Sequence, residues 1–211
     1  ASSFWGAQLA LAFEQRGAAT KVVQMGDAGM GIISSTFMLD SFPAWRALDG
    51  AAFPLFVVPD EFPQDPVDLG SLSMPLLYRW IAQRFPNSVW SQYSSAADWV
   101  QAFFFLTQKQ GEGSAANAKD QLDWNIEMNK MYDAFIPGNP ANLLHMVGPG
   151  DYHCNIRKDI HWHVDAGNHQ PLFKVLHGMF LEDVNPGNID CRVTGGEENC
   201  IRGVDLREKA E

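Results

Sequence analysis

A glycine-rich turn, Gly26-Asp27-Ala28-Gly29-Met30-Gly31, separates the β-branched run Thr20-Lys21-Val22-Val23-Gln24-Met25 from a stretch, Ile32 to Phe42, whose apolar residues recur at helical spacing. A strand, a tight turn and a helix in immediate succession commit the chain to a βα unit. Small residues let a strained backbone pass close to a sheet while one side chain projects above it, which is the context a nucleophile elbow needs. The projecting residue here is Ala28, and its methyl group cannot attack a carbonyl. An ordinary strand-to-helix turn also accounts for the glycines. Their G-x-x-G-x-G spacing matches neither the dinucleotide fingerprint nor the lysine-containing phosphate loop, so no cofactor is expected.

The rest of the chain alternates in the same way. A helix over about Ser2 to Arg16 precedes the strand at Val22, and a short helix over Ala44 to Leu48 precedes a second strand at Leu55-Phe56-Val57-Val58. A helix over about Leu72 to Phe85 leads to a third strand at Ser88 to Tyr93. Helices near Ala96 to Gln108 and Ala118 to Phe135 precede a fourth strand at Asn142 to Val147, and a last helix covers about His169 to Phe180. Strands alternating with helices of this length predict an α/β fold with a mainly parallel sheet covered on both faces. From Glu182 onward the chain is polar, acidic and Gly-rich without a period, so residues 182–211 read as a tail that drapes over a partner or moves.

With 211 residues, 46% of them hydrophobic and 19% charged, the chain can bury one substantial core. No apolar run reaches bilayer-spanning length, and Ala1 to Phe13 lack the basic leader of a signal peptide, so a soluble chain with no transmembrane segment is expected. A net charge of −10 repels phosphate backbones, which argues against nucleic acid as a partner. Cys191 and Cys200 either close a small loop in an oxidising compartment or remain thiols, and Cys154 is then left over beside His153.

In parallel sheets chemistry sits beyond the carboxyl ends of strands. Ala28, Asp98 and His153 each follow a predicted strand, in the order nucleophile position, acid, histidine. Asp98 is also explained as an acid at a helix N-terminus, and His153 as a histidine in a Gly-Pro-Gly-Asp-Tyr-His turn.

Three segments taken together resemble the pectin acetylesterase and Notum family of carboxylesterases. Thr20 to Gly31 is similar to the family's nucleophile segment. Trp80 to Ser88, continuing through Gln92-Tyr93 to Asp98-Trp99-Val100-Gln101, is similar to its acid segment, where Asp precedes Gln by three. Gly148 to His153 resembles its histidine loop. The resemblance extends over most of Ser2 to Phe180 and implies an α/β-hydrolase-like domain over residues 1–181, corresponding to the C-terminal part of the full fold. It implies Asp98 as orienting acid, His153 as general base and Gly29 as one oxyanion donor, with Ala28 as a vestigial nucleophile position. The family's upstream half, source of early strands and a second oxyanion donor, has no counterpart in these residues. The expectation is therefore a catalytically inactive relative acting as a structural or binding subunit of a larger assembly, its open sheet edge covered by missing residues or by another chain. The alternative is a serine carboxylesterase seen as a Ser-to-Ala inactivated or incomplete chain, and a third reading is a lipid- or pigment-binding module using the vacated pocket. The resemblance also suggests a secretory or other lumenal setting, which a Cys191–Cys200 bridge would suit.

Other candidates are weaker. His161 and His163, with Asp159, Asp165 and His169, have a metal-site composition but no third ligand at a defined separation, so no metal is expected. His145 lies within an apolar strand and reads as a satisfied core residue. Asp60, Glu61 and Asp65 fall in a proline-rich loop where surface charge is the default. Trp99, Phe103, Phe104 and Phe105 could line an acyl or pigment pocket, but aromatic residues at helical spacing usually make core.

Overall fold

The computed structural model describes residues 2–18, 21–29, 32–34, 74–110, 118–154 and 170–195, with positions 37, 40, 41, 44, 166, 168 and 200 besides. The expected helices over Ile32 to Phe42 and Ala44 to Leu48, the strand at Leu55 to Val58, the acids at 60, 61 and 65, and the 159–165 cluster with His169 lie wholly or mostly outside the described residues.

Four strands form one all-parallel sheet in sequential order: β1 (Val23–Asp27), β2 (Val89–Ser95), β3 (Leu143–Gly148) and β4 (Ile189–Asp190). The register runs Val23 with Val89 to Asp27 with Tyr93, then Trp90 with Leu143 to Ser95 with Gly148, then Met146 with Ile189. The helices are α1 (Ser2–Gln15), α2 (Met74–Arg84), α3 (Trp99–Gln110), α4 (Ala118–Phe135), α5 (Leu172–Leu181) and the short α6 (Cys191–Gly195). The α/β fold with a parallel sheet thus stands as the sequence predicts. No described helix is long and apolar enough to cross a membrane.

Strand alternation divides the core. Trp90 and Leu143 point to one face and pack with Ala7 and Ala10 of α1 and with Leu77 and Ile81 of α2. Tyr93, Leu144 and Met146 point to the other, against Leu172, Val175, Leu176 and Met179 of α5. Every residue of β3 and all but the first of β2 are buried, as expected of central parallel strands. Helix α2 carries Pro75 in its first turn, where the missing N–H costs nothing, and stops at Arg84, because Pro86 disfavours helical geometry at Phe85. In α3 the aromatic expectation holds only in part, since Phe105 is buried while Trp99 and Phe104 are more than half exposed.

The segment that reads as a tail contributes to the sheet. Residues 182–211 have no sequence period, yet Ile189–Asp190 pairs with β3, and Cys191 is bridged to Cys200. A two-residue strand carries too little pattern to be read. Tertiary pairing, not local propensity, forms it.

Buried polar groups in the central strands are tied to neighbours. The Ser91 hydroxyl donates to the Gln24 carbonyl at 2.8 Å, and Gln92 Nε2 donates to the Ser3 hydroxyl at 2.8 Å. Gln92 also explains Gly26, since a Cβ there would lie 2.1 Å from Gln92 Oε1. Gly26→Ala is expected to destabilise the chain by about 1–3 kcal/mol in urea unfolding. Combining it with Gln92→Ala should recover part of that loss, whereas strictly additive costs would contradict the contact.

His145 is buried, as expected, but it is not the fully satisfied core residue that the sequence predicts. Its Nε2 meets Asn139 Nδ2 at 2.9 Å, its ring lies edge-on to Tyr132 at 4.9 Å, and its Nδ1 has no hydrogen-bond partner among the described residues. Burial, and secondarily the charge of Arg79, push its pKa down to about 4. Between about pH 6.5 and about pH 4 the unfolded chain takes a proton that the buried ring refuses, so stability falls as pH falls through that window. The loss attributable to His145 is about 3 kcal/mol, read as the pH-dependent part of the stability difference from His145→Phe. A difference constant across that window would contradict it.

Candidate functional site

The turn after β1 positions residue 28. The Ala28 N–H donates to the Tyr93 carbonyl at 2.9 Å, continuing the β1–β2 ladder by one residue. Ala28 has φ 58°, a left-handed conformation uncommon for a residue with a Cβ. The next residue is gripped from α2, where the Tyr78 hydroxyl donates to the Gly29 carbonyl at 2.7 Å. Burial pushes the Tyr78 phenol well up, so it serves as a neutral donor. Gln92 Oε1 also lies under Gly29, 2.9 Å from where a Cβ would stand. The same side chain thus closes on both glycines, most tightly on Gly26.

Asp98 follows β2 and has no exposed surface. Its Oδ1 accepts from the N–H groups of Val100 at 3.0 Å and Gln101 at 2.9 Å, so it caps the N-terminus of α3. Gln101 Nε2 donates to Oδ2 at 2.9 Å and to the Ser94 hydroxyl at 2.6 Å. His153, from the loop after β3, brings Nδ1 to 3.0 Å from both carboxylate oxygens. The two readings of Asp98, helix cap and partner of an imidazole, are therefore both met by one carboxylate.

Burial pushes the Asp98 pKa up, and the bonds from Gln101 and His153 oppose that push. A carboxylate can only accept, so in this contact Nδ1 of His153 is the donor and Nε2 faces away from Asp98. His153 keeps 28% of its side chain exposed, so the ring bridges a buried acid and the surface.

These residues share the carboxyl edge of the sheet. Ala28 stands one residue past β1, Asp98 three past β2 and His153 five past β3, with β2 between the other two. The ends of β1 and β3 are separated by two inter-strand spacings, roughly 10 Å, and His153 closes part of that gap by reaching the loop after β2. A carboxylate-oriented imidazole at such an edge can accept a proton from a hydroxyl or water. Residue 28 offers no hydroxyl, and Gly29 offers one backbone N–H.

Sequence reasoning missed Tyr78, Gln92 and Ser94. A glutamine in the middle of a strand flanked by Trp90 and Tyr93 is a legible sign of a buried polar contact; Tyr78 in an amphipathic helix carries no sign. Cys154, outside the bridge, is half-buried with φ 54°. No metal is assigned to the one described group of ligand types, Asp190, Cys191 and Cys200, whose sulfurs are joined in the disulfide.

No family model, no curated protein and no solved structure matches the chain.

Asp98→Ala removes the acceptor of two helix N–H groups and of the Gln101 amide, and is expected to cost about 2–4 kcal/mol in urea unfolding. His153→Ala, which removes a partly exposed donor, should cost about 1 kcal/mol. Equal costs would contradict the capping role.

Proposed function

We propose that the chain is a non-catalytic α/β-hydrolase-like protein, akin to the pectin acetylesterase and Notum carboxylesterases, that acts as a structural or binding subunit. The observation that carries this reading is the Asp98–His153 pair at the carboxyl edge of the sheet, on the same edge as the left-handed Ala28, whose methyl group cannot act as a nucleophile. Loss of a nucleophile hydroxyl typically costs several powers of ten in rate, because the base then has nothing to activate. The terminal strand β1, hydrogen-bonded to β2 alone among the described strands, supports a partner chain or upstream polypeptide along that edge. The Cys191–Cys200 bridge supports a secretory or other lumenal setting.

A second reading is favoured by the same acid–histidine pair. The acid–histidine pair suits a serine carboxylesterase seen as a Ser-to-Ala inactivated or incomplete chain, with His153 as general base, Asp98 orienting it and Gly29 giving one of the two oxyanion donors.

The native chain is expected neither to hydrolyse p-nitrophenyl acetate above buffer nor to react with a fluorophosphonate. Hydrolysis by the native chain that disappears in His153→Ala would overturn the non-catalytic reading. Ala28→Ser separates the two readings. Fluorophosphonate labelling at position 28, lost again when His153→Ala is added, favours the esterase, and no labelling favours decay beyond one residue.

A further inference from the structure

The histidine loop is held from a direction the dyad does not use. Cys191 directly follows β4, whose Asp190 pairs with Val147 of β3. Arg192 forks between the Asp190 carboxylate, 2.9 Å from Nε, and Asp133 of α4, 2.9 Å from a terminal nitrogen. Cys191 has no exposed surface and Cys200 has 2%. Their disulfide therefore ties Cys200 to a point fixed by both the sheet and α4.

The main-chain carbonyl of Cys200 accepts from the Gly150 N–H at 2.8 Å. Gly150 lies three residues before His153 and has φ +100°, a conformation L side chains rarely adopt. Its own carbonyl accepts from the Ala97 N–H at 2.9 Å, and the Asp151 carbonyl accepts from the Trp99 N–H at 3.4 Å. Ala97 and Trp99 flank Asp98. The Cys200 carbonyl, secured by the bridge, thus holds Gly150, and the Gly150 and Asp151 carbonyls in turn hold both neighbours of the acid.

We infer that the Cys191–Cys200 bridge is a positioning element for His153, fixing the Cys200 carbonyl so that Gly150 holds the loop where Nδ1 reaches Asp98. A single backbone hydrogen bond contributes about 1 kcal/mol net, and only while its acceptor is held in place. Without the disulfide, the covalent path from Cys200 to β4 runs only along the main chain, and the conformational freedom so released opposes the bond. The inference rests on reading 28, 98 and 153 as one site only for its functional weight; the geometry stands apart from turnover.

Nuclear magnetic resonance on the full chain tests it through the downfield Nδ1–H resonance of His153 and the exchange rate of the Gly150 amide. In the native chain the His153 resonance should be present and the Gly150 amide protected. In Cys191→Ala/Cys200→Ala, Gly150 should exchange about tenfold faster or more and the His153 resonance should broaden or vanish, while the Trp90 and Met146 amides keep their protection. Unchanged Gly150 and His153 signals in that variant would overturn the inference. If the variant does not fold, the native chain decides, because a Gly150 amide exchanging at the rate of an open loop also overturns it. Neither readout involves ester hydrolysis or labelling of position 28, so failure here and failure of the functional reading are distinguishable.

Discussion

A carboxylate with no exposed surface has lost the water that would solvate it, and its charge must be met by donors arriving from several sides. Asp98 receives two helix N–H groups, the amide of Gln101 and the imidazole of His153. The end of β2, the start of α3 and the loop after β3 therefore share one anchor. Moving any of them strips a donor from a buried charge, and moving the start of α3, which supplies three of the four donors, costs most. The anchor also orients the imidazole of His153, turning Nδ1 to the carboxylate at the carboxyl edge of the sheet.

Much of this is legible in the residues. Helix α4 runs from Ala118 to Phe135 as its apolar spacing predicts, and β1, β2 and β3 fall within about three residues of the runs that announce them at both ends. The start of α3 is instructive because Ala96 and Ala97 are good helix formers, yet the helix begins at Trp99. Their N–H groups are taken by the carbonyls of Gly148 and Gly150, and Asp98 caps the helix beyond them. Cross-loop hydrogen bonds there outweigh propensity, which a one-dimensional reading does not contain. Likewise α5 begins at Leu172 and not at His169, with Pro171 at its cap.

The candidate site is legible as three residues and illegible as a structure. Strand ends and turn chemistry single out Ala28, Asp98 and His153, but the supports are long-range: Tyr78 on Gly29, Gln92 beneath Gly26, and Cys200 behind Gly150. Each joins residues far apart along the chain, and two of the three act through main-chain atoms, so they leave little trace in a pattern of side chains. The disulfide, left open between bridged and unbridged by the sequence, joins β4 to the far side of the histidine loop.

On the proposed reading, residue 28 faces the same reaction space as the Asp98–His153 pair, so that one missing hydroxyl separates an inert rim from an acyl-transfer site. The most direct measurement is a crystal structure of the Ala28→Ser variant. A hydroxyl oxygen at position 28 is expected within hydrogen-bond reach of His153 Nε2, about 2.6–3.2 Å, with the Asp98 contact retained. A separation beyond about 5 Å, with the ring still bound to Asp98, would contradict that reading.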